Sequence, residues 1–182
     1  MGKKRSSRDA NQRRAKKPPA STRPAKTPEP KPVQSARDHE RTTKRLGEIA
    51  EAAFTHKALN LEFAVCRPHG DSERYDAIVD SREPDIMPKL SRVQVKCSTQ
   101  MCEGFYRTNA HRRISGRAVP YKPTEIDFIA AYVIPEETWY IIPIRAVRGT
   151  SLLFRPKRSR KRGLYEDYRE AWHLLRQTTN QK

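Results

Sequence analysis

Three polar side chains in the middle of the sequence have the types and the spacing to act together. Asp76 offers a carboxylate, and Gln94 and Lys96 offer an amide and an amine two residues apart. In a strand over Leu90 to Cys97, successive side chains point to opposite faces, so Gln94 and Lys96 share one face while Val93, Val95 and Cys97 share the other. The apolar face packs inward, and the polar pair either faces solvent or gathers at a site. Taken alone, that choice favours solvent. Asp76 shifts the balance, because aspartate is disfavoured inside strands and here stands between Tyr75 and an apolar run. A carboxylate is what a hard divalent cation prefers as a ligand, and an ammonium stabilises developing negative charge. Glu48 is a further candidate, evenly balanced against a structural role, since a carboxylate is favoured at the start of a helix. Asp71, Glu73, Asp80 and Asp85 are rival acids read as loop or turn residues, with Asp80 or Asp85 next in line if the register differs.

The elements that must position these residues follow from periodicity. Leu46, Ile49, Ala50, Ala53, Phe54 and Leu61 recur at helical spacing, which predicts a helix from about 43 to 59 with Thr42 or Thr43 as its N-cap. Phe63 and Val65 mark a short strand before the turn Pro68-His69-Gly70, and Tyr75 to Val79 pairs with Leu90 to Cys97 as a hairpin with a long, Pro-punctuated connection. Phe128 to Ile134 and Trp139 to Ile144 form an antiparallel pair across a Pro-Glu-Glu turn. Asp127, Tyr132, Trp139 and Tyr140 read as core or hairpin residues. Residues 99–124 show no period and read as a basic loop or insertion, and Tyr165 to Arg176 has helical character.

Lys and Arg number 38 against 21 Asp and Glu in 182 residues, a formal net charge of +17. Such an excess calls for a polyanionic partner, and nucleic acid is the first candidate because each neutralised phosphate releases counterions. An anionic membrane is the rival, but no apolar run approaches the roughly 18 residues that span a bilayer. Residues 1–40 hold 12 basic side chains, 4 acidic ones and 6 prolines, with hardly any large apolar residue, and read as a disordered basic arm. The remainder is still basic, at +9. A globular domain is expected over 41–150, with the insertion 99–124 inside it, followed by a basic segment and C-terminal helix over 151–182. Arg107, Arg112, Arg113, Arg117 and Lys122 would contact phosphates, with Tyr106 or Tyr121 able to stack on an exposed base. The run Arg155 to Arg162 reads as a nuclear-localisation-like signal or an electrostatic tether. The basic N-terminus lacks a secretory apolar core, so the expected location is intracellular: cytoplasm or nucleoid, or nucleus in a eukaryote. Cys66, Cys97 and Cys102 are expected to be reduced and structural.

Glu48 after Gly47, Asp76 after Tyr75, and Arg92-Val93-Gln94-Val95-Lys96 occur in the order helix, strand, strand. This ordered set resembles the PD-(D/E)XK nuclease superfamily. More narrowly, it is similar to the group I intron homing-endonuclease and Holliday-junction-resolvase-like branches, in which the last motif can be Gln-x-Lys. The resemblance covers roughly residues 44 to 144. It implies an α/β (α+β), restriction-endonuclease-like αβββαβ core, with a mixed central sheet flanked by helices. It implies a Mg²⁺-dependent DNA endonuclease, with Mn²⁺ as a substitute, acting on duplex or branched DNA as a homodimer or higher assembly. Asp76, the Gln94 amide oxygen and the Val95 carbonyl would hold the metal, Lys96 would orient or deprotonate water, and Glu48 would serve a second metal or its water. The sequence departs from the pattern at Tyr75, where Pro is usual, and at Gln94, where an acid is usual; the neutral amide should weaken metal affinity. The alternative is a non-catalytic nucleic-acid-binding protein on a degenerate nuclease fold, and an RNA-associated basic protein is a third reading.

Overall fold

The computed structural model describes residues 36–70, 72–81, 89–157, 159 and 161–176. Nearly all of the expected arm lies outside the described residues, as do Asp71, Asp85, Arg158 and Arg160. Helix α1 (Ala36–Asn60) begins earlier than periodicity predicts, so Thr42 and Thr43 lie inside it rather than capping it. Its buried stripe is Ala50, Phe54 and Ala58, spaced four residues apart on one face. The two alanines let the helix lie close to the sheet, and the Phe54 ring packs on Trp139 at 5.7 Å and Trp172 at 5.6 Å. Ile49, which the apolar period includes, is exposed. The helix closes in a Schellman motif. The Phe63 N–H donates to the Ala58 carbonyl (3.1 Å) and the Glu62 N–H to that of Leu59 (2.9 Å), with Glu62 left-handed at φ 65°.

The strands that follow are β1 (Ala64–Cys66), β2 (Ala77–Asp80), β3 (Leu90–Ser98), β4 (Met101–Cys102), β5 (Phe105–Asn109), β6 (His111–Ile114), β7 (Arg117–Pro120), β8 (Phe128–Val133), β9 (Thr138–Pro143) and β10 (Ser151–Phe154). The central sheet has the order β1-β2-β3-β8-β9, antiparallel except where β3 meets β8 in parallel. It is the mixed sheet of a restriction-endonuclease-like fold. One face of the sheet packs on α1, Trp172 and Leu175, and the other on Leu152, Phe154, Tyr165 and Ile126. Burial on both faces explains the unbroken apolar run in β8. Register between β3 and β8 is pinned by Asp127, whose carboxylate accepts from the Arg92 backbone N–H (2.8 Å) and from its guanidinium (3.0 Å).

Two expectations are corrected. Parallel strands need a long crossover, and residues 99–124, expected as a basic loop or insertion without a period, build it from strands β4 to β7 with no helix. β5 pairs with β4 and β10 in a second sheet, and β6 with β7 in a two-stranded ribbon. Their tight turns, Glu103-Gly104 and Ser115-Gly116, hold both residues at positive φ, as two-residue hairpins require. The second correction is the C-terminal helix. Two 3-10 turns, Glu166–Tyr168 and Trp172–Leu175, stand in its place. Between them Glu170, at φ 49°, is drawn to the open edge of β9. Its N–H donates to the Trp139 carbonyl (2.8 Å), and its carboxylate accepts the Trp139 N–H (2.7 Å) and the Trp172 indole N–H (2.9 Å). Covering a sheet edge outweighs local helical preference here.

Candidate active site

β2 stops short of its neighbour: Ala77 stands opposite Val93, while β3 runs on to Ser98. Backbone groups on the uncovered edge of β3 must find other partners. Asp76, one residue before β2, supplies them. Its N–H donates to the Val93 carbonyl (2.9 Å), and its Oδ2 accepts the Val95 N–H (2.7 Å) and the Gln94 Nε2 (2.5 Å). Farther along the same edge the Thr108 hydroxyl, from β5, donates to the Cys97 carbonyl (2.9 Å). The N–H and C=O of one strand residue point to the same side, so the Val95 carbonyl opens into the interval between Asp76 and β5. It lies 3.5 Å from Gln94 Nε2. Gln94 is only 7% exposed, so its side chain is gathered at a site rather than turned to solvent.

Burial pushes the Lys96 amine below its ordinary value, opposed by the negative charge of Asp76, the neighbouring Cys97 thiol and Glu51. The ammonium lies over the Tyr121 ring, 5.9 Å from its centroid. Burial, with Asp76 adding to it, raises the Tyr121 phenol to about 12, so it remains a proton donor at any working pH. Lys96 and Tyr121 therefore both sense Asp76, the residue whose carboxylate Gln94 and Val95 share.

Glu48 and Asp76 line one cleft of about 530 Å³ together with Glu51, Arg67 and Tyr75. Glu48 lies at its exposed rim, 3.3 Å from the Arg45 guanidinium. Glu51, one turn farther along α1, is more buried, pairs with Arg67 and acts on Lys96. Sequence reasoning missed it. The available signal was its spacing of three residues from Glu48, which places both on one helix face. The rival acid Asp80 ends β2, opposite Leu90 and away from this opening.

A cation would fit the donor set. The positively polarised amino group of Gln94 already bridges the Asp76 carboxylate and, more loosely, the Val95 carbonyl, so these oxygens face a common point. A half-turn of the amide exchanges its donor for its acceptor and presents a third oxygen there. An all-oxygen set with one carboxylate suits a hard cation that keeps several waters. Among the described residues there is no group of three or more His, Cys, Asp or Glu that could hold a metal, which distinguishes this mixed set from an acidic cage.

Of the residues expected to meet phosphate, Arg107, Arg113, Arg117 and Lys122 are exposed. Arg112 differs: its side chain is 15% exposed and its guanidinium is committed to Glu125 at 2.8 Å, so it braces the base of the β6–β7 ribbon. Tyr106 is buried with its hydroxyl donating to Glu136 (3.3 Å), which removes it as a base-stacking residue. Trp139 and Tyr140 are buried, as expected of core residues. The three cysteines are free thiols, but Cys66 and Cys102 are exposed; only Cys97 packs against the core. Among the described residues no helix is long and apolar enough to cross a membrane.

Comparison with known proteins identifies the family. No curated protein matches the chain. A solved structure of a bacterial homing endonuclease, I-Ssp6803I, is 33% identical, with a TM-score of 0.63, over 74% of this chain and 93% of that one. The family described as PD-(D/E)XK endonuclease matches residues 41–175, from the second turn of α1 to the last 3-10 turn. A match over most of its length places the chain in the PD-(D/E)XK endonuclease family.

Proposed function

We propose that the chain hydrolyses phosphodiester bonds in duplex or branched DNA with the help of Mg²⁺, for which Mn²⁺ can substitute, at a site made by Asp76, Gln94, the Val95 carbonyl and Lys96. The observation that carries this reading is the sharing of one carboxylate oxygen, Asp76 Oδ2, by the Val95 N–H and the Gln94 amide. A divalent cation held there would supply neutralising charge for the crowded phosphorus and a more acidic water.

Asp76 contributes the fixed negative charge, aimed by its bond to β3. Gln94 contributes a neutral oxygen once its amide turns. Lys96, its charged form disfavoured by burial, orients or deprotonates the attacking water and stabilises charge that develops on phosphate. Glu48, at the rim of the same cleft, would ligate a second cation or hold a water. Arg107, Arg113, Arg117 and Lys122 would hold the DNA backbone. Two chains acting as a dimer would place one site on each strand of a duplex.

The test is a nicking assay on supercoiled plasmid and on four-way junctions, with Mg²⁺ or Mn²⁺ against EDTA, for the wild type and for Asp76→Ala and Lys96→Ala. Metal-dependent cleavage lost in both variants is expected. Cleavage that survives both substitutions would place the site elsewhere. Salt-dependent binding with no cleavage under any condition would instead make the protein a non-catalytic DNA binder.

A further inference from the structure

The small sheet has two unlike faces. Tyr106 and Thr108 of β5, with Leu152 and Phe154 of β10, turn inward to the core. The opposite face carries Arg107 paired across the strands with Leu153, Asn109 paired with Ser151, and Phe105. Arg107 and Asn109 are exposed, and Leu153 is 41% exposed. At the end of this face Arg155 lays its guanidinium over the Phe105 ring, 4.3 Å from the centroid. Arg148, Arg155 and Arg162 line a shallow pocket of about 400 Å³ there, with Leu153 and Leu164.

Arg162 is paired with Asp167. Among the described residues Arg107, Arg148 and Arg155 make no ion pair with an acidic side chain. A guanidinium stacked on an aromatic ring is already oriented, so less freedom is lost when its fork meets a phosphate. Exposed leucines between the arginines can contact the apolar edges of sugars or bases, and Asn and Ser can donate to phosphate oxygens. The combination is cationic, partly apolar and flat, unlike a solvated lysine run.

We propose that the outer face of this sheet, β4, β5 and β10 together with Arg148 and Arg155, extends the DNA-contacting surface from Arg107 to residues that do not line the cleft at Asp76. It accounts for the start of the basic run Arg155–Arg162, which chemistry at the cleft leaves without a role. The proposal rests on the reading that the chain binds DNA, and its occupant is the sugar-phosphate backbone of a duplex.

Binding is measured on the full chain in EDTA, so that cleavage plays no part, with a fluorescent 30-base-pair duplex across 0.05–0.3 M salt. Arg148→Ala and Arg155→Ala each remove one phosphate contact, which lowers the salt slope by about 0.9 and the affinity by roughly fivefold at 0.15 M. The double variant is expected to lose roughly thirtyfold. Lys57→Ala, on α1, controls for net charge and should change affinity less than twofold. Arg148 is exposed, so its variant tests the surface even if loss of the Arg155 stack disturbs folding, which a melting curve reveals. Unchanged affinity and slope for Arg148→Ala, or an equal loss for Lys57→Ala, would overturn the proposal. A chain that never nicks DNA yet shows these losses would refute the endonuclease reading and leave this surface standing.

Discussion

Replacing Gln94 with glutamate changes one end of the bridge on which the site depends. In the wild type Gln94 Nε2 donates to Asp76 Oδ2 at 2.5 Å. The introduced carboxylate is an acceptor facing an acceptor. The loss has two parts: a hydrogen bond to a charged group, about 1.5–3 kcal/mol, and repulsion between two carboxylates about 4 Å apart, about 4 kcal/mol at an effective dielectric of 20. Protonation sets a ceiling. Keeping a carboxyl protonated at pH 8 against an unperturbed value near 4.3 costs about 5 kcal/mol, so the variant should lose about 3–5 kcal/mol in EDTA. At roughly 2–4 °C per kcal/mol for a domain of this size, its melting temperature falls by roughly 10 °C. The sign with pH follows from a carboxyl whose folded pKa is raised. The penalty is absent below the unfolded value and grows as pH rises toward the folded one, so the variant and the wild type should converge near pH 4. A divalent cation placed between the two carboxylates reverses the repulsion. Mg²⁺ or Mn²⁺ should therefore restore most of the loss, which corresponds to at least a hundredfold gain in metal affinity over the wild type. Differential scanning fluorimetry at pH 4 and pH 8, with EDTA and with a metal titration, reads all of this. A variant as stable as the wild type in EDTA at pH 8, or one that metal stabilises no more than the wild type, would show that Asp76 and Gln94 do not face a shared cation position.

Lys96→Met should abolish cleavage without lowering the melting temperature at neutral pH, since burial disfavours the charged amine; a marked loss of stability would mean that the amine is chiefly a structural partner of Asp76. Because its folded pKa is depressed, the drag of Lys96 is full at pH values below that pKa and is relieved as pH rises toward the ordinary lysine value. The stability gap between variant and wild type should therefore narrow in alkaline melts. Glu62→Gly should stabilise the protein by about 1 kcal/mol, because Glu62 occupies the left-handed position of the Schellman motif, where a Cβ is unfavourable; urea denaturation at fixed pH checks this. Arg112→Ala should cost about 2 kcal/mol through loss of the largely buried pair with Glu125. Arg113→Ala and Arg117→Ala should weaken DNA binding with melting temperatures unchanged, so a gel shift combined with thermal melts separates the three.

The parts of this protein that were legible in its sequence are those whose partners are near in the chain or whose burial leaves a period. The alternation in β3 placed Gln94 and Lys96 on one face, and the unbroken apolar stretch of β8 announced a buried strand. The crossover gave no such signal. Its strands are two to five residues long, β5 has one buried face, and the β6–β7 ribbon is mostly exposed, so polar residues dominate the segment. Only the turn pairs Glu103-Gly104 and Ser115-Gly116 betray it, and two-residue turns are weak evidence when the strands beside them lack a pattern. The C-terminal segment misled for the opposite reason. Its apolar spacing is compatible with a helix, but Glu170 gains two hydrogen bonds at the edge of β9, and a third to the Trp172 indole, that no helix would offer it.

The same distinction bears on the unusual amide. An acid at position 94 would meet Asp76 across a contact that the chain already fills with a hydrogen bond, and without metal the two charges would repel. Glutamine lets the apo site close on itself: its amino group satisfies Asp76, and Asp76 satisfies Val95, so the uncovered edge of β3 is stable before any cation arrives. The cost would fall on binding, because at the proposed site a cation would have to displace that amino group and would find one carboxylate rather than two. Substrate phosphate, which the exposed arginines would hold, would then be the natural source of the missing negative charge. On this reasoning, metal and DNA should bind with positive cooperativity in the wild type. That coupling should shrink in Gln94→Glu, where the protein itself supplies the second charge. Titrating Mg²⁺ against binding of a non-cleavable phosphorothioate duplex measures both couplings. Equal coupling in the two proteins would show that the amide is not what makes the site depend on its substrate.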